Sequence, residues 1–409
     1  MKVAISVQSN YPVDRQVRTK KFAKYLDRDG EDVVIYARNT SFDPARGQAD
    51  GEDDPVTEHL PYGTVRRFSW GWTPRLATVL RASVPLNPFW FLWLVLQFVR
   101  DRPDVVIVDG IRAGIPTALA AKLVGVPVVF DLRENYVGLA NSLPSNSRVG
   151  SILQHERLVW GMERATIALA DQTWVVVEER REQLVEKGIS PSRLVVVSNT
   201  PDLEEIPDET TETAAVAADG GALTLVYVGV LNEFRGLGTI LDAMAELNHE
   251  SDPHVRFVVA GDGPHKSALE AQAERLGVDE HVRFLGWVDS EAVPQILASA
   301  DVGVIPHEVS PLTDLTVPNK LFDYMMLGLP VLATAMAPVE RIVEEENCGV
   351  VLPPATTPSQ TADRIRELSE SDQRALGENG RRAVEDRYNW SREMERVRAS
   401  LDSVVRAAR

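Results

Sequence analysis

Short runs of aliphatic and β-branched residues recur along the chain, separated by longer stretches whose apolar positions return every three or four residues. In the first half the runs are KVAISV (2–7), DVVIYA (32–37), TVRRFSW (64–70), DVVIVD (104–109), PVVFDL (127–132), TWVVV (173–177) and RLVVVS (193–198). Between them VDRQVRTKKFAKYL, IPTALAAKLVG and RREQLVEKG carry helical spacing, the last closed by Gly188 as a C-terminal cap. The pattern restarts with LTLVYVG (223–229), VRFVVAG (255–261), VRFLGWV (282–288), DVGVIP (301–306), PVLAT (330–334) and GVVLPP (349–354). Strands alternating with helices predict parallel sheets covered on both faces. The α/β class that follows is two Rossmann-like, doubly wound domains facing across a cleft. The expected boundaries are a first domain at 1–199, an acid-rich linker at 200–221 with little aliphatic bulk, a second domain at 222–386, and a final helix at 387–409 that crosses back to the first domain.

Two segments break the pattern. Residues 39–63 are long and polar, and predict a mobile loop. Residues 88–99, PFWFLWLVLQFV, are apolar around the whole helical circumference but short of the roughly 18 residues that a membrane span requires. Trp70, Trp72, Trp90 and Trp93 cluster in and before this run, with Arg75, Arg81 and Arg100 nearby. Aromatic and basic residues around a short apolar helix suit a monotopic membrane or lipid contact through Trp90 and Trp93. A helix buried on both sides is the alternative.

At 409 residues the chain exceeds one ordinary core, in keeping with two domains. Its net charge of −17 disfavours nucleic acid or an anionic membrane as a partner on long-range electrostatics, so an anionic ligand has to be held by local donors. Only eight of the 43 basic residues are lysine, a balance that suits a salt-rich cytoplasm as well as an ordinary acidic surface. The single cysteine, Cys348, excludes an internal disulfide and suits a reducing compartment. The first residues read as a strand rather than a signal peptide, so the expected location is cytoplasmic, or peripheral on the inner face of the membrane.

Ligands of open α/β sheets bind beyond the carboxyl ends of the strands. No complete G-x-G-x-x-G or P-loop is present, and the seven histidines show no metal-ligand spacing. Neither a dinucleotide cofactor nor a bound metal is therefore expected. Four strand ends remain: DGIRAG after 104–109, DLRENY with Asp131, Arg133 and Glu134, GVLNEFRG with Gly229 and Arg235, and TVPNKLFDYMMLGLPVLAT at 316–334. In the last, Pro318 sits where a first helical turn tolerates proline, and Asn319 and Lys320 follow. Free amides, a positive dipole end and Lys320 make this an anion site, with Asp323 one turn on to accept from hydroxyls. A diphosphate and sugar hydroxyls on one helix describe a nucleotide-sugar.

AGDGP at 260–264, VRFLGWV at 282–288, ADVGVIP at 300–306, PNKLFDYMMLGLPVLAT at 318–334 and YNW at 388–390 resemble the retaining GT-B glycosyltransferases of glycosyltransferase family 4, the glycosyl transferases group 1. DRQVRTKKFAKYLDRDGEDVVIYA and LVEKGISPSRLVVVSNTPD resemble the family's first domain, so the likeness covers nearly the whole chain. It implies transfer of a sugar from a nucleotide-diphosphate donor, with retention and usually without bound metal, to a glycan or lipid-linked acceptor in polysaccharide or glycoconjugate synthesis. It further implies that Arg235 and the Pro318–Asn319–Lys320 helix start contact the diphosphate beside Gly229, that Asp323 holds the ribose, and that the base lies near Gly286 to Val288. Asp131, Arg133 and Glu134 are expected to line the sugar and acceptor side as catalytic groups, with Arg235 stabilising the leaving diphosphate.

The chain departs from the family in four places. Asp323 replaces a longer acid, Leu315 stands eight places before it where a second acid is usual, Val230 replaces a basic residue, and Arg133 occupies a histidine position. Two other classes share the architecture: a non-hydrolysing nucleotide-sugar epimerase, and a catalytically silent partner subunit.

Overall fold

The computed structural model describes residues 1–7, 11, 17–38, 42–43, 48–49, 56–68, 87–142, 155–205, 222–250 and 254–409. Trp70, Trp72, Arg75, Arg81, most of the segment 39–63 and residues 206–221 of the acid-rich linker lie outside them. The chain divides into two compact units, one of Met1–Ser198 with Met394–Arg409, the other of Asn199–Glu393.

The first unit contains β1 (Lys2–Val7), β2 (Asp32–Arg38), a minimal antiparallel pair β3 (Phe42–Asp43) and β4 (Gln48–Ala49), β5 (Thr57–Leu60), β6 (Gly63–Phe68), β7 (Val105–Asp109), β8 (Val128–Leu132), β9 (Gln172–Val175) and β10 (Leu194–Val196). Among the described residues its main sheet runs β10-β9-β8-β7-β1-β2-β6-β5, parallel except for β5. The central strands read as unbroken aliphatic runs because both faces are covered. β5 corrects the loop expected over 39–63. TEHL has little strand character of its own and gains its ladder from β6 at the sheet edge, through a turn in which Gly63 adopts φ 142°.

Three helices of this unit bear on function: α1 (Val17–Arg28), α2 (Pro88–Asp101) and α3 (Gly110–Leu123). Helix α2 begins where Asn87 accepts hydrogen bonds from the Phe89 and Trp90 amides at 2.9 and 3.1 Å, with Pro88 in the first turn. Its inner face settles one question left by the sequence. Trp90 and Trp93 are 0% and 6% exposed, stacked with centroids 5.1 Å apart, and Phe68 packs against both at 5.8 and 5.6 Å. They belong to the hydrophobic core and are not lipid contacts. The face of α2 that remains outside carries Phe89, Leu92, Leu96 and Val99.

In the second unit β11 (Leu223–Val228), β12 (Val255–Ala260), β13 (Val282–Gly286), β14 (Val302–Ile305), β15 (Val331–Thr334) and β16 (Gly349–Leu352) form a parallel sheet of order β13-β12-β11-β14-β15-β16 among the described residues. Leu225, Tyr227, Phe257, Val259, Val304 and Leu332 from alternate positions of these strands bury against Ile240, Met244, Leu269 and Ile365 of the covering helices. The strand order reverses between β11 and β14. A doubly wound sheet opens a crevice at that point, beyond the carboxyl ends of the strands. Helix α4 (Asn319–Met326) follows β14 there. The last long helix, α5 (Trp390–Ala408), ends within the first unit, where Ser400 Oγ accepts a hydrogen bond from Trp174 Nε1 at 2.7 Å.

Candidate active site

The reversal point of the second sheet gathers basic groups. Gly229 follows β11 with φ 142°, and a side chain there would meet Lys320 Nζ at 3.1 Å from its Cβ. Pro318, extended at φ −67° and ψ 131°, leads into α4, and no side chain caps the first turn that Asn319 and Lys320 begin. Lys320 Nζ lies 3.6 Å from the centroid of the Tyr227 ring, whose hydroxyl is fixed on the Val230 carbonyl at 3.1 Å. This cation–π seat holds the ammonium beside Gly229 rather than in solvent. Burial first, and then the neighbouring Arg235 charge, hold the Lys320 ammonium well below its ordinary range, against the opposite pull of Asp323.

Arg235 reaches the same place from the loop after β11. Its Nη1 lies 3.3 and 3.1 Å from the two ring nitrogens of His307, at the end of β14. Among the described residues, the half-buried carboxylate Asp323 acts on Lys320 against this group of Arg235, Lys320 and His307. Such an excess of basic groups at a crevice calls for an anion.

Glycines keep the floor beside this cluster bare. Gly261 donates its amide to the Gly286 carbonyl at 2.7 Å, and a Cβ on Gly261 would come within 1.9 Å of the Gly229 carbonyl. A side chain on Gly261 would therefore part the ends of β11 and β12, and glycines just after β11 and β12 and at the end of β13 leave this floor bare. With neighbouring strands ~4.8 Å apart, Gly286 stands about 10 Å from Gly229. Val288 is half-buried beyond Gly286, and Trp287 between them is 72% exposed.

The structure therefore brings together Gly229, Arg235, Asn319, Lys320 and Asp323, with Gly286 and Val288 two strands away. Leu315 ends the short 3₁₀ turn Thr313–Leu315, and Asp314 Oδ1 accepts from the Ala337 amide at 3.3 Å, at the start of the helix Ala337–Glu346 beyond β15. Sequence reasoning missed Tyr227 and His307. Tyr227 was read only as part of a strand, although it lies two residues before Gly229. His307 has no metal-ligand spacing, and its one local sign is its place two residues beyond β14.

In the first unit the cluster after β7 and β8 is arranged differently from expectation. Asp131 is 2% exposed, and both its oxygens accept hydrogen bonds at 2.8 Å from Arg18 of α1, one from Nε and one from Nη2. The same guanidinium donates to the carbonyls of Val197 and Ser198 at 2.9 and 3.1 Å. Asp131 is therefore a buried strut rather than the catalytic group expected, because Arg18 engages both its oxygens. Arg133 pairs with Asp109 at 3.1 Å, and Asp109 also accepts from Thr19 Oγ1 at 2.8 Å. Burial pushes the Asp109 carboxyl up, against the pull of Arg133. Glu134 is the exposed member of the group, with its carboxyl also raised, chiefly by desolvation from the surrounding chain. Asp109, which ends β7 in DGIRAG, is the residue of this cluster that had not been singled out.

Two family descriptions match the chain: "Glycosyl transferase 4-like domain" over residues 16–200 and "Glycosyl transferases group 1" over residues 222–371. Alpha-D-kanosaminyltransferase of Streptomyces kanamyceticus is 23% identical over 61% of this chain and 63% of its own length. The UDP-glycosyltransferase TURAN of Arabidopsis thaliana is 32% identical over 30% of this chain and 25% of its own. The chain thus spans less than two thirds of each of these relatives. D-inositol 3-phosphate glycosyltransferase of Saccharomonospora viridis is 25% identical over 90% of this chain and 84% of its own. Among solved structures, sucrose-phosphate synthase from Thermosynechococcus elongatus superposes with a TM-score of 0.71 at 18% identity, over 98% of this chain and 99% of its own. Anabaena HepE in complex with UDP-glucose superposes with a TM-score of 0.65 at 17% identity, over 98% of this chain and 100% of its own. The family matches take in most of each unit, and the solved structures superpose over nearly the whole chain. Residues 222–371 belong to the glycosyl transferases group 1 and residues 16–200 to the glycosyl transferase 4-like domains, and the chain has the GT-B fold.

Proposed function

We propose that the protein transfers a sugar from a nucleoside-diphosphate donor to a glycan or lipid-linked acceptor, with retention at the anomeric carbon and without a bound metal. The observation that carries this reading is the seat of Lys320 on the Tyr227 ring, beside Gly229 and Arg235 at the reversal point of the second sheet. Lys320 and Arg235 meet the diphosphate, and the start of α4 adds its amides and positive dipole end. As the bond to the sugar breaks, negative charge grows on the leaving phosphate, and these fixed donors stabilise it in place of a metal ion. Asp323 accepts from ribose hydroxyls, and the base lies beyond the bare glycine floor near Gly286 and Val288. The acceptor hydroxyl attacks from the face that the diphosphate leaves, passing its proton to a donor phosphate oxygen. Glu134, Arg133 and Asp109 of the first unit are the acceptor-side groups. UDP and UDP-glucose bound in HepE support the donor class.

Incubation with a panel of nucleotide-sugars, with and without a glycan and lipid extract, tests the activity. Transfer releases nucleoside diphosphate in step with a glycosylated product. An isomerised sugar nucleotide points to an epimerase, and no turnover of any donor points to a silent subunit.

The outer face of α2 favours an acceptor presented at a bilayer. Phe89, Leu92, Leu96 and Val99 form one exposed stripe at helical spacing, and Leu119 and Leu123 are exposed on α3, which packs against α2. Arg100, Arg102 and Lys122 stand exposed at the C-terminal ends of the same two helices. An apolar stripe with a basic rim complements an anionic lipid surface. Among the described residues no helix is long and apolar enough to cross a membrane, so the contact is a docking one. Wild type is expected to float with phosphatidylglycerol vesicles and Leu92→Gln/Leu96→Gln to stay below. Equal recovery of the two proteins, with melting temperatures unchanged, removes the bilayer from the account.

A further inference from the structure

The loops after β11 and β14 are fastened to one another. The Glu308 amide donates to the Phe234 carbonyl at 3.0 Å, and Gly236, at φ 68°, lies so close to Pro306 that a Cβ would sit 1.8 Å from its carbonyl oxygen. Only glycine permits that approach. The contact brings His307 against Arg235. The imidazole is 1% exposed, and Arg235 Nη1 is almost equally distant from its two nitrogens, so the guanidinium lies across the ring rather than on one lone pair. Arg235 also lies over the Phe234 ring, 5.0 Å from its centroid, and its buried Nε makes no hydrogen bond among the described residues. The guanidinium thus contacts two rings, and its Nε is left without a partner among the described residues.

An arginine side chain otherwise loses much rotamer freedom when it grips an anion, and fixing it beforehand removes that cost from binding. We propose that His307 is a positioning residue of the donor site, holding the Arg235 guanidinium in its ligand-ready pose before the diphosphate arrives. The inference rests on the reading that Arg235 meets the donor diphosphate. It assigns a role to a residue that touches no substrate. The ring acts in its neutral form. Burial first, then Lys320 and Arg235, hold the imidazole well below the ordinary histidine range, so it does not repel the guanidinium it supports. Asp323, one turn along α4, is the acid whose charge acts on Lys320, while Glu308 follows His307 and Glu233 lies two residues before Arg235 in the chain.

Calorimetric titration with UDP, GDP, ADP, CDP and dTDP identifies the nucleotide to use as probe, and a double-mutant cycle then tests the inference. His307→Leu, which refills the buried volume, is expected to weaken the probe's Kd by about 5- to 10-fold. In an Arg235→Ala background the same change is expected to shift Kd by less than about twofold. Donor kcat/KM should fall with His307→Leu while acceptor KM stays constant, a split that general damage to the fold does not produce. His307→Gln serves as the second variant if His307→Leu melts early. Equal losses in both backgrounds, or no loss with either His307 variant while Arg235→Ala weakens binding, overturn the positioning role. Failure of the wild type to bind any nucleotide instead overturns the donor-site reading on which it rests.

Discussion

Lys320→Met is expected to lower kcat/KM for the donor by on the order of 10²- to 10³-fold without lowering thermal stability. The two halves of that result have separate causes. The ammonium is seated on the Tyr227 ring beside Gly229, at the place proposed for the leaving diphosphate, and methionine keeps the stem packing while removing the donor. Losing one fixed donor to a transition-state anion has that order of effect. Stability moves the other way, because without ligand Lys320 is desolvated and repelled by Arg235. Its folded-state pKa is depressed below 10.5, so the unfolded chain binds the proton more tightly and the folded state carries a penalty. That penalty is full below the folded pKa and fades as pH rises toward 10.5. Wild type should therefore melt no higher than Lys320→Met at neutral pH, and the two curves should converge in alkaline buffer. A drop in both activity and melting temperature would mean that Lys320 is part of the scaffold.

Arg18→Met is the counterpart in the first unit, with a large expected loss of stability, about 3–5 kcal/mol. Arg18 binds both oxygens of Asp131 and two carbonyls of the chain after β10, with side-chain exposures of 7% and 2% for the two partners. Removing the cation leaves a carboxylate buried at the end of β8 without its bidentate partner. Replacing both, as Arg18→Met/Asp131→Leu, should recover most of the loss, since an apolar pair of similar volume needs no compensation. Urea unfolding of the three proteins reads this directly. If the double variant were no more stable than Arg18→Met, the pair would not be the strut described above.

The strands of both sheets were legible because buried parallel strands must be nearly continuous aliphatic runs, and DVVIVD or LTLVYVG can hardly be anything else. β5 was not, since TEHL earns its ladder only from a neighbour at the sheet edge. PFWFLWLVLQFV showed an apolar helix but not which side was covered. Phe68 and Tyr36, from distant strands, make that choice and take Trp90 and Trp93 inside. At the site, Lys320, Arg235 and Gly229 carried local signs: a proline-led helix start, a basic residue before a glycine, and a glycine ending a strand. Tyr227, His307 and Asp109 matter through what the fold places next to them. Asp131 was misjudged for the same reason, because its partner Arg18 lies 113 residues away in the chain.

The crystal structure of the protein with its tightest-binding nucleoside diphosphate tests the central claim most directly. The account predicts diphosphate oxygens within hydrogen-bond reach of Lys320 Nζ and the Arg235 guanidinium at the start of α4, with the ribose toward Asp323. A nucleotide bound elsewhere, with Lys320 still seated on Tyr227 and no anion beside it, would contradict it.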